Sequence, residues 1–315
     1  MTAMCLVFSW LLTLSVVFSM AEKQICTYYT TVRVTSADCS GRMLEDLPTE
    51  LLTDIQALSM SHNRMRVLHS DSFRRYTHLK YLYLDDNMIS YVENGTFEPL
   101  QNLEVIRLSH NALETVPVGV LQLPKLRKLY VDNNRLKGGG GFEFAPTSET
   151  LELLSLANCH LENLPPLGMY PRLLELNISG NELKVLFPQQ IAPMCRLHLL
   201  DLRGNPMLFN GSGGCECHSL ATWIQQMNIY YAEVPLNCST EADEWADGQF
   251  PCKQQPQDEM QTPCRAASVI EEKKTNIWLT WILPSALVVA CLYIVLLLVG
   301  TRFHSLISTK CGMEH

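Results

Sequence analysis

The chain has 315 residues, 47% of them hydrophobic, and a net charge of −8. So mild an acidic balance argues against a nucleic-acid binder, which would carry a basic patch. Twelve cysteines are many for a reducing cytosol and point to an oxidising compartment.

Residues 1–21 read as a signal peptide. LVFSWLLTLSVVF is a suitable apolar core, and Ser19 and Ala21 are small residues where cleavage would fall. No Lys or Arg precedes that core, a departure from the usual pattern, and a signal anchor is the competing reading, but Glu22 and Lys23 follow at once and favour a cleaved signal. Cys26 and Cys39 then bracket TYYTTVRVTSAD, a polar, β-rich stretch, and a Cys26–Cys39 disulfide is expected.

From Ile55 to Met207 the chain repeats itself. IQALSMSHNRM, LKYLYLDDNMI, LEVIRLSHNAL, LRKLYVDNNRL, LELLSLANCHL, LLELNISGNEL and LHLLDLRGNPM are seven variations on L-x-x-L-x-L-x-x-N-x-L. The Asn position steps through Asn63, Asn87, Asn111, Asn134, Cys159, Asn181 and Asn205, a period of roughly two dozen residues. The first half of each line alternates, so it predicts a short strand. In the second line Leu79, Leu82 and Leu84 point inward while Tyr81 and Tyr83 point out. The Asn can bond the exposed backbone of the turn that follows, and stacked copies would form a ladder. Cys159 can sit in that ladder but donates poorly. No line can bury its leucines alone; stacking buries them together, as a solenoid with a parallel sheet on its concave side.

The convex returns carry apolar residues such as Val92, Phe97 and Leu100. Phe73, Phe97, Leu121, Phe144 and Ile191 each fall ten residues after the ladder position and should form an apolar spine. KGGGGFEFAP, residues 137–146, breaks the regularity; it reads as a surface insertion rather than a binding loop.

After the repeats, SLATWIQQMN predicts a short helix with Leu220, Trp223 and Ile224 on one face. Cys215, Cys217 and His218 have the spacing of a metal site, but secretion and two later cysteines favour disulfides. Residues 253–276 are polar and read as a stalk. IWLTWILPSALVVACLYIVLLLVG, residues 277–300, is uncharged and would span about 36 Å as a helix, enough to cross a bilayer. Trp278 and Trp281 would lie at its outer interface, and the signal peptide would place the repeats outside.

ADCSGRMLEDLP resembles the N-terminal cap of extracellular leucine-rich repeat proteins, and DLRGNPMLFNGSGGCECHSLATWIQQ resembles the flank that closes their arrays. From Cys26 to Cys252 the chain resembles single-pass leucine-rich repeat receptors and adhesion proteins. The resemblance implies an α/β-type leucine-rich repeat solenoid. It would be right-handed, with a concave parallel sheet, a mostly irregular convex side and one transmembrane helix. It also implies an order of parts: signal peptide 1–21, N-terminal cap 22–54, seven repeats 55–207, C-terminal cap 208–252, stalk 253–276, transmembrane helix 277–300 and cytoplasmic tail 301–315. The family's N-terminal cap commonly has four cysteines, against two here. Its C-terminal cap pairs the first cysteine with the third and the second with the fourth, which implies Cys215–Cys238 and Cys217–Cys252.

No catalytic constellation is visible, and no cofactor or metal is expected. His62, His110 and His160 follow the repeat and read as turn residues. Strand phase puts Tyr81, Tyr83, Asp85, Val105, Arg107, Lys128, Tyr130 and Asp132 on the concave face of repeats two to four. Repeats five to seven offer Leu153, Ser155, Glu175, Asn177, Leu199, Asp201 and Arg203, without an aromatic cluster. Tyrosine and arginine anchor interfaces well, so a partner site centred on Tyr81, Tyr83, Arg107 and Tyr130 is weighed evenly against an ordinary solvated sheet.

Four sequons begin at Asn94, Asn177, Asn210 and Asn237; a glycan on Asn177 would block the later half of the face. Cys159, Cys195 and Cys264 are left over outside the membrane, and Cys264 is placed to join two copies, as are the repeat faces. Cys311 suits palmitoylation or remains a plain thiol. The expected function is cell-surface recognition of an extracellular protein ligand or neighbouring receptor, as an adhesion molecule, co-receptor or decoy. The alternative is innate-immune recognition of microbial or lipid ligands by an ectodomain shed from the stalk. The fifteen residues 301–315 cannot hold the signalling domain of Toll-type receptors, so signalling would need a partner chain.

Overall fold

The computed structural model describes residues 25–137, 140–142, 147–209, 214–232, 236, 238, 264, 288–291 and 293–294. The chain divides into two compact units, residues 1–260 and 261–315.

The first unit begins with an antiparallel hairpin of β1 (Thr27–Thr31) and β2 (Val34–Asp38). Coils follow, each opening on a three-residue strand. Their strands are β3 (Ala57–Ser59), β5 (Tyr81–Tyr83), β7 (Val105–Arg107), β8 (Lys128–Tyr130), β9 (Leu153–Ser155), β10 (Glu175–Asn177) and β11 (Leu199–Asp201). Short β4 (Val67–Leu68) and β6 (Tyr91–Val92) pair with each other in the returns, and a helical turn, α1 (Pro188–Ile191), occupies a later return. Helix α2 (Gly214–Gln226) and strand β12 (Tyr230–Ala232) complete the unit. The main sheet has ten strands in the order β1-β2-β3-β5-β7-β8-β9-β10-β11-β12, parallel everywhere except at β1–β2.

The middle residue of each coil strand faces the core. Leu58, Leu82, Ile106, Leu129, Leu154, Leu176 and Leu200 stand in one register and all are fully buried. Each stabilises the stack by about 1.5–3 kcal/mol, and only because the next coil covers it. The hairpin closes one end by placing Ala37 opposite Leu58. The other end is closed by α2, whose Leu220, Trp223 and Ile224 are buried as the helical spacing predicts. Strand β12 was not foreseen.

The ladder forms as expected. Each Asn amide donates to its own turn and to the neighbouring coil: Asn87 to the Leu84 and Met60 carbonyls, Asn111 to Leu108 and Leu84, Asn134 to Val131 and Leu108. Its oxygen accepts from the neighbour, as Asn111 does from Ile89 N–H at 2.9 Å. The residue before each rung has positive φ: His62, Asp86, His110, Asn133, Asn158, Gly180 and Gly204. His62 and His110 are thus turn residues, and so is His160, at φ 57°. Asn and Asp tolerate this conformation with local hydrogen bonding, and glycine adopts it freely.

In the returns, Phe73 and Phe97 stack with ring centroids 5.8 Å apart, and Leu121 and Ile191 are buried. Phe144, expected in the same spine, lies outside the described residues. Phe142 is 1% exposed and joins the core, so the glycine-rich insertion is anchored rather than purely superficial. Gly140 and Gly141 have positive φ, and the Gly140 carbonyl accepts Val116 N–H at 2.7 Å, which turns Phe142 inward.

The structure joins Cys26 to Cys39. It corrects the pairing expected at the other end: Cys217 is bonded to Cys238, not to Cys252, so Cys215–Cys238 is excluded as well. The physical reason is reach. Cys217 sits buried on the first turns of α2, and its Cα lies 5.4 Å from that of Cys238, which packs against the same core. Cys195, Cys215 and Cys264 are also disulfide-bonded. Cys195 and Cys264 are therefore not the leftover thiols expected, and Cys264 is not available to link two copies. Cys159 is free and buried.

In the second unit, residues 288–291 and 293–294 are helical. Among the described residues no helix is long and apolar enough to cross a membrane. The expected signal peptide, the cytoplasmic tail with Cys311, and nearly all of the stalk and the 277–300 segment lie outside the described residues, as do Cys252, Asn210 and Asn237.

Candidate functional site

The sheet face opposite the core carries two parallel rows, one from each outward position of the strands. Register gives the first row as Tyr29, Ser36, Ala57, Tyr81, Val105, Lys128, Leu153, Glu175, Leu199 and Tyr230. The second is Thr27, Asp38, Ser59, Tyr83, Arg107, Tyr130, Ser155, Asn177, Asp201 and Ala232. Tyr81, Tyr83, Val105, Arg107, Lys128 and Tyr130 therefore share one face, as strand phase requires.

At the centre of the group is Arg107. Its Nε lies 2.9 Å from Asp85 Oδ2, and its guanidinium carbon stands 5.4 Å from the centre of the Tyr130 ring. The guanidinium, on β7, is held from one coil below by Asp85, two residues past β5, and from one coil above by Tyr130 on β8. An arginine so braced loses less freedom when a partner docks on it. Its cation over a ring is attracted by the ring quadrupole. Burial pushes the Asp85 carboxyl up from its ordinary range, while Arg107 and the Ser109 N–H oppose that. Burial likewise raises the Tyr83 and Tyr130 hydroxyls, so both remain neutral donors at physiological pH.

Two of the expected contact residues do other work. Asp85 is 8% exposed and accepts Ser109 N–H at 3.1 Å. Asp132 accepts from the Ser155 hydroxyl and from Ala157 N–H at 2.9 Å, and takes the Ser109 hydroxyl on its other oxygen. Their carboxylates thus bond coil to coil along the edge of this face.

One residue escaped sequence reasoning. Tyr29 lies on β1, half-exposed, in the same row as Tyr81. Between them stand only Ser36 and Ala57, with Asp38 and Ser59 beside them in the second row. Three strand spacings make this interval roughly 14 Å. The face thus has a low floor of short polar and small residues, Asp38 among them with its carboxylate held by Ser40, walled by Tyr29 on one side and Tyr81 and Tyr83 on the other. The alternation in TYYTT was readable, but not that the hairpin extends the sheet.

The later half differs. Leu153 and Ser155 are 9% and 3% exposed even on this face, and Asp201 is tied bidentately to Arg203 at 3.0 and 2.6 Å. Asn177 ends β10, its amide oxygen accepting Ser179 N–H and hydroxyl at 3.1 and 2.7 Å. Among the described residues no group of three or more His, Cys, Asp or Glu side chains is arranged to hold a metal ion.

A leucine-rich repeat family model matches residues 77–136, the coils that carry this cluster. Among similar proteins, the transforming growth factor beta activator LRRC32 of Mus musculus is 35% identical over 130 residues, 40% of this chain and 20% of that protein. Tsukushi of Gallus gallus is 30% identical over 179 residues, 55% of this chain and 48% of that protein. Podocan of Mus musculus is 25% identical over 234 residues, 66% of this chain and 37% of that protein. The chain spans less than half the length of each of these relatives. Residues 77–136 are thus leucine-rich repeats by sequence, and the same repeat line, asparagine ladder and parallel sheet extend through the neighbouring coils to a disulfide-bonded segment at each end.

Proposed function

We propose that this protein is a cell-surface recognition molecule that binds an extracellular protein partner through the outward face of its sheet. Its repeats stand outside the cell, and residues 277–300 span the membrane once. The observation that carries the reading is the braced Arg107, set among Tyr81, Tyr83 and Tyr130 and continued by Tyr29 across a low floor of short side chains. Aromatic and arginine side chains held by their neighbours are what well-packed interface centres are made of. Disulfides at both ends of the array support an oxidising compartment. The uncharged 24-residue run at 277–300 supports the anchor. The protein acts as an adhesion molecule, co-receptor or decoy.

The relative named as a transforming growth factor beta activator makes secreted growth factors the first partner class to screen. Full-length protein displayed on cells would be screened against tagged secreted proteins, then compared with a Tyr83→Ala/Tyr130→Ala variant of equal surface display. Binding should fall tenfold or more, about 1.4 kcal/mol. A partner bound equally well by both forms would refute the site. A tag at residue 22 reached by antibody only after permeabilisation would refute the orientation.

A further inference from the structure

On the side away from the sheet, a groove of about 350 Å³ opens between the returns at residues 90–98 and 113–122. That volume is at the small end for a ligand site. Its lining mixes ring, amide, hydroxyl and carboxylate: Tyr91, Glu98, Thr115 and Gln122 are among them, and Tyr91 is 60% exposed. Part of the wall is bare, because a Cβ on Gly119 would meet no atom within 4 Å. Such a surface suits a pyranose, which offers a C–H face to an aromatic ring and hydroxyls to polar groups around it.

Asn94 also lines the groove. It is exposed and begins Asn94-Gly95-Thr96. Gly95 turns the chain at φ 82°, while the Thr96 hydroxyl donates inward to the Glu93 carbonyl at 2.7 Å and the Leu68 carbonyl at 3.3 Å. The threonine of the sequon is thus locked into the fold and its asparagine is left at the groove. We infer that this groove seats the first N-acetylglucosamine of a glycan on Asn94. A free sugar would bind so shallow a site weakly. One tethered to Asn94 is present at the high effective concentration of any intramolecular ligand, so modest contacts suffice. The glycan would lie along the returns and keep this side covered, leaving the sheet face open.

The inference rests on the secretory route proposed above. Full-length protein would be made in cells restricted to high-mannose glycans, and Asn94 occupancy read by glycopeptide mapping. Hydroxyl-radical footprinting of Tyr91 and residues 113–122 would then compare three forms: intact, trimmed by an endoglycosidase to one sugar, and Asn94→Gln. Intact and trimmed protein should be protected alike, several-fold more than Asn94→Gln. Gly119→Trp, which fills the groove, should leave occupancy unchanged and speed endoglycosidase release of the native glycan several-fold. An occupied Asn94 with identical footprints in all three forms would overturn the seating alone. An unmodified Asn94 on protein that has reached the cell surface would overturn it together with the use of this sequon.

Discussion

Cys159 donates its thiol to the Val131 carbonyl at 3.3 Å, the cross-coil bond that an asparagine amide makes at the other rungs. The substitution keeps a donor and loses an acceptor. Elsewhere the rung oxygen accepts an N–H from the coil below, from Met65, Ile89 or Leu113. A thiol offers Leu136 N–H no such oxygen. Cys159→Asn should therefore stabilise the protein by about 1 kcal/mol and raise Tm by a few degrees, measured by thermal denaturation. An unchanged or lower Tm would show that the thiol's apolar contacts outweigh the missing bond.

The same thiol should be chemically silent. Burial pushes its pKa up to about 12, and its thiolate is vanishingly scarce at neutral pH. Alkylation of Cys159 by iodoacetamide in folded protein is expected to be at least a hundredfold slower than in denaturant. Peptide mapping over time reads this directly, and rapid labelling of native protein would mean that the array opens at this rung.

Removing Arg107 should affect stability as well as binding. Asp85 has little solvent of its own, and its remaining partner is the Ser109 N–H. Arg107→Ala is expected to destabilise the fold by about 1–2 kcal/mol, and an accompanying Asp85→Asn to recover much of that. Chemical denaturation of the single and double variants tests it; additive losses would refute the coupling.

Gly180 sits at φ 65°, and a Cβ there would stand 1.9 Å from Asn158 Oδ1. Gly180→Ala should cost about 2 kcal/mol, part from the left-handed backbone and part from displacing Asn158. Asn158 is itself the left-handed residue of the next rung. Adding Asn158→Gly to the Gly180→Ala background separates the two causes in thermal denaturation: it relieves the contact without new left-handed strain at 158 and leaves the strain at 180.

His69 and Glu93 make a bond across coils, Nδ1 to Oε1 at 3.0 Å. The bond to Glu93 raises the His69 pKa, and bonds from Ser70 N–H and then from His69 lower that of Glu93. The raised histidine contributes stability below its unfolded value, lost as pH rises through its folded one. The lowered carboxyl contributes above its unfolded value, lost as pH falls through its folded one. The pair thus acts in the acid window between them. The Tm gap between the native protein and His69→Gln should be wider at pH 5.5 than at pH 8 and should shrink again below the Glu93 pKa. A gap independent of pH would show that the bond carries no linkage; both groups are solvent-exposed, so the gap is small.

What sequence could reveal here followed from period. Leu79, Leu82 and Leu84 had to face inward and Tyr81 and Tyr83 outward once the line repeated, and they do. The Asn ladder was legible for the same reason. Features outside the period were not. The place of Tyr29 depends on the hairpin pairing with β3, and β12 on where the chain goes after α2. The partner of Cys217 depends on how α2 lies on the last coil. Phe142 enters the core beside the glycine run because Gly140 and Gly141 turn the backbone by a course no spacing rule encodes.

Neighbouring strands meet without stagger: residue 58 faces 82, 82 faces 106, and so on to 200. Every coil therefore presents the same upper surface that it requires of the one beneath it. A gene that gains or drops one such unit in the middle needs no new junction, so the tyrosine-bearing strip can be lengthened, shortened or spliced onto other arrays while its two disulfide-pinned ends stay as they are.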